Sequence, residues 1–256
     1  MQSQPKKLTH KVQFYSINSS FRLAHQQLKV YNKTMELSTI ISLAYVVSVT
    51  FFLILLVKLT LEDGRKLRLV IKAITCLHFM VVALAAVFFK EIETHEIFLV
   101  LGLGASFTGD LTLGLKYKHR SFLFFGTMFF LIGQGFYILF FGITKPSLWL
   151  AVPLLFMLLI FGSSTKKNKE YDFKGMGWVI HIYALILILM VSTALASWVL
   201  NPTQLTSMRV IGAVFFFFSD FILLHLYFYK KRNNGSVILY LILYHIGQGL
   251  IAWSLW

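Results

Sequence analysis

Eight apolar runs, most of them about 20 residues long, fill nearly all of this sequence. They cover 37–57, 69–89, 97–115, 121–142, 147–162, 176–200, 209–229 and 236–256. A helix needs about 20 mostly apolar residues to cross a bilayer, where no backbone amide can be left without a partner. The runs therefore predict an all-α, polytopic membrane protein with eight transmembrane helices. The fifth run is short and contains Pro153, which a membrane helix tolerates when its neighbours satisfy the freed carbonyl. Composition points the same way: 57% of residues are hydrophobic and 13% charged, against about 45–50% and about 25% in soluble domains. A soluble enzyme, a disordered regulator and a fibrous protein are excluded. The connections are short, so chemistry has to occur among the helices or at their ends.

The chain has 24 Lys and Arg against 10 Asp and Glu, a net charge of +14. Such a balance suits nucleic-acid binding only if it forms a soluble basic surface. Here the bases border the spans. Lys58, Arg65, Lys66 and Arg68 follow the first run, and Lys116, Lys118 and Arg120 the third. Lys166, Lys167, Lys169 and Lys174 follow the fifth, and Lys230, Lys231 and Arg232 the seventh. The alternate connections carry only Lys90, Lys145 and Arg209. The positive-inside rule then places the odd-numbered loops in the cytoplasm and both termini outside. No nucleic-acid partner is expected. The inner membrane of a bacterium is the expected location, with the endoplasmic reticulum as the alternative. Residues 1–34 are basic and polar, contain no acid and lack the apolar core of a signal peptide. Their charge opposes this topology, so Met35 is the expected native start, 1–34 an extension and 35–256 the membrane domain.

The sequence also repeats. Ile132-Gly133-Gln134-Gly135 in the fourth run reappears as Ile246-Gly247-Gln248-Gly249 in the eighth. Each copy follows an intramembrane acid, in Gly109-Asp110 and Ser219-Asp220, at spacings of 24 and 28 residues. Four runs separate the copies, which predicts two parallel four-helix halves, an architecture known among membrane proteins.

Three charges interrupt the runs: Lys72, Asp110 and Asp220. A charge at the centre of a membrane helix costs about 2.5–3.5 kcal/mol on insertion scales, and such residues face a bundle interior or a cavity. At a rise of about 1.5 Å per residue, Asp110 lies about 9 Å from the cytoplasmic end of its helix and Asp220 about 15 Å. Two readings are open. Lys72 can pair with one Asp as a buried ion pair that fixes packing, leaving the other Asp without a base. Alternatively, two carboxyls near one cation divide into a protonated acid and an ionised base. Gln134 and Tyr137 share one face of the fourth helix, and Tyr244, His245 and Gln248 one face of the eighth. These suit either a polar site or interhelical hydrogen bonding.

The remaining polar residues read as structural. Glu62, Asp63, Glu91, Glu93, Glu96, Glu170 and Asp172 fall in loops. His78, His181 and His225 read as packing residues, and Gly102, Gly104, Gly109, Gly126, Gly133 and Gly135 as close helix contacts. Cys76 is the one cysteine, so no intramolecular disulfide can form, and it reads as a buried thiol. No metal-ligand spacing, dinucleotide fingerprint or phosphate loop is present, and no cofactor or metal is expected.

The ordered set resembles the YhhN-like lysoplasmalogenase family. The residues that carry it are Gly109-Asp110, the Phe-x-x-Gly-Gln-x-x-Tyr of 130–137, Ser219-Asp220, the Tyr-x-x-x-Gln of 244–248, and Lys72 after a basic loop. The resemblance covers about residues 37–256. The family usually has His where this chain has Gln134, and Pro where it has Ala73. The resemblance implies hydrolysis of the vinyl ether bond of lysoplasmalogens to a fatty aldehyde and a glycerophospho-alcohol. That chemistry needs an acid for carbon and a carboxylate that stabilises the resulting cation and activates water. Asp110 and Asp220 fill those roles in either order. Lys72 tunes them or meets the substrate phosphate, and Gln134, Tyr137, Tyr244 and Gln248 orient water or a glycerol hydroxyl. The implied partners are a lysophospholipid substrate and membrane lipid. The rival readings are a transporter relaying protons through its carboxylate pair and a non-catalytic lipid-binding protein or scaffold.

Overall fold

A computed structural model of the chain describes residues 40, 42–62, 65–90, 92–115, 118–119, 121–167, 169–173, 175–230 and 233–256. Residues 1–34 and Met35 lie outside the described residues. Among the described residues there are eight helices. These are α1 (Ser42–Leu61), α2 (Arg65–Phe89), α3 (Glu96–Gly114), α4 (Ser121–Phe141), α5 (Lys145–Lys167), α6 (Gly177–Leu200), α7 (Gln204–Phe228) and α8 (Asn234–Trp253). Seven are long and apolar enough to cross a membrane; the apolar part of α5, Lys145–Ile160, is shorter. The chain divides into two compact units, Met1–Thr50 and Phe51–Trp256. Of the first, helical residues 42–50 are described along with Ile40. The second holds the rest of α1 and all of α2–α8.

Polar caps set several helix starts ahead of the apolar runs. At α7, the Thr203 side chain accepts from the Thr206 amide while the Thr206 side chain accepts from the Thr203 amide. This capping box satisfies donors that the first helical turn leaves open, and it starts the helix at Gln204 rather than 209. At α5, Thr144 N–H donates to Ser147 Oγ at 2.9 Å and Ser147 N–H to Thr144 Oγ1 at 3.3 Å. At α8, Gly235 N–H donates to Asn233 Oδ1 at 2.8 Å.

The packing repeats between the halves. The α3–α4 and α7–α8 pairs are the closest, α2 packs on α3 as α6 packs on α7, and α4 crosses to α6 as α8 crosses to α2. Matched glycines explain the closeness. Gly102 and Gly212 lie eight residues before Asp110 and Asp220, and Gly133 and Gly247 stand immediately before the two repeated glutamines. A Cβ on Gly133 would stand 3.0 Å from the Gly102 carbonyl oxygen, and one on Gly247 2.8 Å from that of Gly212. The two backbones touch in both halves, and any side chain would part them. Gly109 and Gly126 are also tightly packed, but Gly135, expected in a close contact, faces open space: a Cβ there would meet nothing within 4 Å.

Two expected loop charges turn out to be structural. Arg209 lies inside α7, and its guanidinium donates to Ser254 Oγ at 3.2 Å and Ser254 O at 3.1 Å, just past the end of α8. It also stands 4.6 Å over the Phe140 ring and 3.8 Å from Glu96 Oε1. Glu96 is therefore the first residue of α3 with a side chain only 13% exposed, not a solvated loop acid. Lys90 Nζ donates to Leu255 O at 2.7 Å. Cations at a helix C-terminus offset its partial negative charge. At the other end, Tyr171 bridges to Tyr229, and its hydroxyl is hydrogen-bonded to His225 Nδ1 at 2.7 Å, tying the α5–α6 connection to the end of α7.

Candidate functional site

Asp110 and Asp220 are both buried in the helix core, 3% and 5% exposed. Each sits at the equivalent place on the third helix of its half, and each receives partners from the same two directions. Asp110 is met by α2 of its own half and α8 of the other. Asp220 is met by α6 of its own half and α4 of the other.

Around Asp110 both oxygens are engaged. Lys72 Nζ pairs with Oδ1 at 2.7 Å. Oδ2 accepts from the Tyr244 hydroxyl and, at 3.3 Å, from the Cys76 thiol. Cys76 Sγ is also 3.8 Å from His245 Nε2, while His245 Nδ1 is 2.8 Å from the Leu241 carbonyl one turn earlier. With Nδ1–H donating to that carbonyl, Nε2 is the lone-pair nitrogen facing the thiol.

Around Asp220 the chemistry differs. Oδ2 accepts from the Tyr183 hydroxyl and, at 3.5 Å, from Gln134 Nε2. Among the described residues no cation pairs with Asp220, and Oδ1 takes no hydrogen bond. Asp220, Tyr183 and Leu224 line both of two cavities of about 50 Å³ each. One lies among α5, α6 and α7 beside Leu154, Met157 and Phe221. The other lies among α3, α4, α6 and α7 beside Leu113, Thr127 and Phe130. Asp110 lines neither.

The remaining expected site residues link the two acids. Tyr137, one turn from Gln134, donates to Gln248 Oε1 at 2.7 Å. Gln248 lies one turn from Tyr244, the partner of Asp110. The path Asp220–Gln134, Tyr137–Gln248, Tyr244–Asp110 thus crosses both halves, alternating between hydrogen bonds and single helical turns. Phe130, Tyr137, Phe216 and Tyr244 pack around it with ring centroids 5.9–6.4 Å apart. Gln134 Oε1 and Gln248 Nε2 are buried with no hydrogen-bond partner among the described residues. Each repeated glutamine therefore has one end tied and one end open. A buried amide atom left unpaired costs about 1–3 kcal/mol.

Among the described residues Lys72 pairs with Asp110 and no base pairs with Asp220, the arrangement of the first of the two readings of the intramembrane charges. The residues that sequence reasoning missed are Tyr183 and Cys76; His245 was placed on the polar face of the eighth helix, and it meets the Cys76 thiol there. Tyr183 had a signal. It stands 37 residues before Asp220, and Lys72 stands 38 before Asp110. The repeat thus puts a tyrosine where the first half has its lysine. Cys76 is buried, as expected of it, but it is more than packing: one helical turn from Lys72 it reaches the same carboxylate. His78 and His181 each bond a carbonyl four residues earlier, as packing residues do. Among the described residues no group of His, Cys, Asp and Glu is arranged to hold a metal ion.

Seven helices long and apolar enough to cross a membrane, and a pair of buried carboxyls at equivalent places on α3 and α7, define a polytopic α-helical membrane protein with an intramembrane acid pair. The model of the YhhN family matches residues 67–255, and the chain belongs to that family. The match begins within α2 and contains Lys72, Asp110, Tyr183, Asp220 and both repeated glutamines. No curated protein and no solved structure shows significant similarity to the chain.

Proposed function

We propose that this protein is a membrane-embedded hydrolase of the lysoplasmalogenase type, cleaving the vinyl ether bond of lysoplasmalogens to a fatty aldehyde and a glycerophospho-alcohol. The observation that carries the reading is the pair of buried carboxyls, one ion-paired and one bordering apolar cavities, in a member of the YhhN family. An enol ether is hydrolysed when an acid protonates its β-carbon. The oxocarbenium ion that forms adds water, and the hemiacetal collapses. Proton transfer by a positioned side chain contributes about 10²–10⁴-fold to such a step. A carboxyl set in a water-poor interior supplies the proton and then, as carboxylate, faces the cation it has made. The apolar linings suit a hydrocarbon chain.

In this reading Lys72 acts on Asp110 rather than on the substrate phosphate, since its ammonium is already paired. The substrate enters from the leaflet bordered by the basic loops, in the inner membrane of a bacterium. Fatty aldehyde release from a lysoplasmalogen by purified protein in detergent tests the proposal. Turnover is expected with the vinyl ether lipid and not with its saturated ether analogue. A carrier would give no product with either, and that result would overturn the reading.

A further inference from the structure

The two carboxyls occupy equivalent positions but cannot do the same work. Asp110 has Lys72 at 2.7 Å on one oxygen, and Tyr244 and Cys76 on the other. Both oxygens of Asp110 are therefore engaged, and it lines neither cavity. Asp220 has both its hydrogen bonds on Oδ2, no cation beside it among the described residues, and two apolar cavities against it. Among the described residues its Oδ1 is left without a hydrogen bond, on a residue that borders both cavities.

Resting on the lysoplasmalogenase reading, we infer that Asp220 alone transfers the proton and touches substrate, that Tyr183 is its positioning residue, and that Asp110 is a positioning residue paired to Lys72. The Tyr183 hydroxyl fixes Oδ2, which turns Oδ1–H toward the bound alkenyl chain. The double-bond electrons take that proton to form a C–H bond at the β-carbon, leaving an oxocarbenium ion and the Asp220 carboxylate. Water adds to the cationic carbon and gives its proton back to Asp220, forming the hemiacetal. The hemiacetal hydroxyl proton passes to the glycerol oxygen as the C–O bond breaks, releasing aldehyde and alcohol and leaving Asp220 protonated. Asp110 keeps Lys72 neutralised and holds Tyr244, and through Tyr244 the α8 face that carries Gln248.

Steady-state hydrolysis of a lysoplasmalogen by full-length purified variants tests this division. Asp220→Asn is expected to lower kcat by about 10³-fold or more, within the range for loss of a general acid, while Asp220→Glu recovers part of it. Tyr183→Phe is expected to lower kcat about tenfold with KM unchanged, the mark of an interaction made in the transition state. Because Asp110→Asn alone can misfold by stranding a buried ammonium, the pair is removed together as Lys72→Gln/Asp110→Asn. That protein is expected to retain more of its kcat than Asp220→Asn by about tenfold or more. If wild type turns over but the double variant is the more damaged of the two, or Tyr183→Phe changes KM alone, the division is wrong and the hydrolase reading survives. If wild type does not turn over at all, the hydrolase reading fails first, and the division with it.

Discussion

The two halves share a scaffold and differ in the contents of one pocket each. Each half brings its third and fourth helices into backbone contact through a glycine pair, Gly102 with Gly133 and Gly212 with Gly247. Each places an Asp eight residues beyond the first glycine. At the position that reaches each Asp from the second helix, the first half has a lysine and the second a tyrosine. An ammonium makes its carboxyl half of an ion pair; a phenol gives its carboxyl a hydrogen bond and no charge. The repeat supplies the geometry twice, and the exchange of lysine for tyrosine separates an ion-paired acid from one that borders two cavities.

That contrast can be broken most forcefully at the ion pair. Removing one partner of a buried pair leaves an uncompensated charge and costs about 3–5 kcal/mol. Lys72→Met and Asp110→Asn should therefore each lower the thermal unfolding midpoint in detergent much more than Asp220→Asn, which strands no charge. Equal losses at the two acids would mean that the halves are not divided in this way.

The glycines come next. Gly247→Ala puts a methyl 2.8 Å from the Gly212 carbonyl oxygen, and Gly133→Ala puts one 3.0 Å from that of Gly102. Overpacking of this kind costs about 1–3 kcal/mol. Gly135→Ala meets nothing within 4 Å, and replacing a helical glycine gains about 0.8–1.0 kcal/mol in propensity. Unfolding measurements on the three variants should give two losses and one gain, although Gly133 and Gly135 belong to the same tetrapeptide.

A smaller effect distinguishes the cross-half hydrogen bonds. Tyr137→Phe removes the bond to Gln248 Oε1 from an amide whose nitrogen is already unpaired, a loss of about 1–3 kcal/mol. Gln248→Leu in the same background should restore part of it, because the unpaired amide goes as well; a further loss would show that Gln248 has a second role. The smallest effect belongs to Glu96→Gln. At 3.8 Å its contact with Arg209 is long, and Arg209 keeps its bonds to Ser254, so the unfolding midpoint should move least in this variant.

Much of the fold was legible because a bilayer leaves so few choices. The runs of about 20 apolar residues named the helices, and only their ends moved, where Thr144, Thr203 and Asn233 supply caps that hydropathy does not register. Lys72, Asp110 and Asp220 stood out because a charge in a span is costly enough to require a reason. Tyr183 and Cys76 did not stand out, since a tyrosine or a thiol within an apolar helix costs little and signals little. Glu96 and Arg209 read as loop charges because sequence distance conceals that α3, α7 and the end of α8 meet.

The sequence by itself determined the helices, the repeat, and which three side chains carried intramembrane charge, because each follows from local composition and spacing. Only the tertiary structure decided which acid the lysine neutralises. Lys72 precedes Asp110 by 38 residues and Asp220 by 148, and nothing along the chain ranks those distances. The packing of α2 against α3, and of α6 against α7, does so, by setting an ammonium beside one carboxyl and a phenol beside the other.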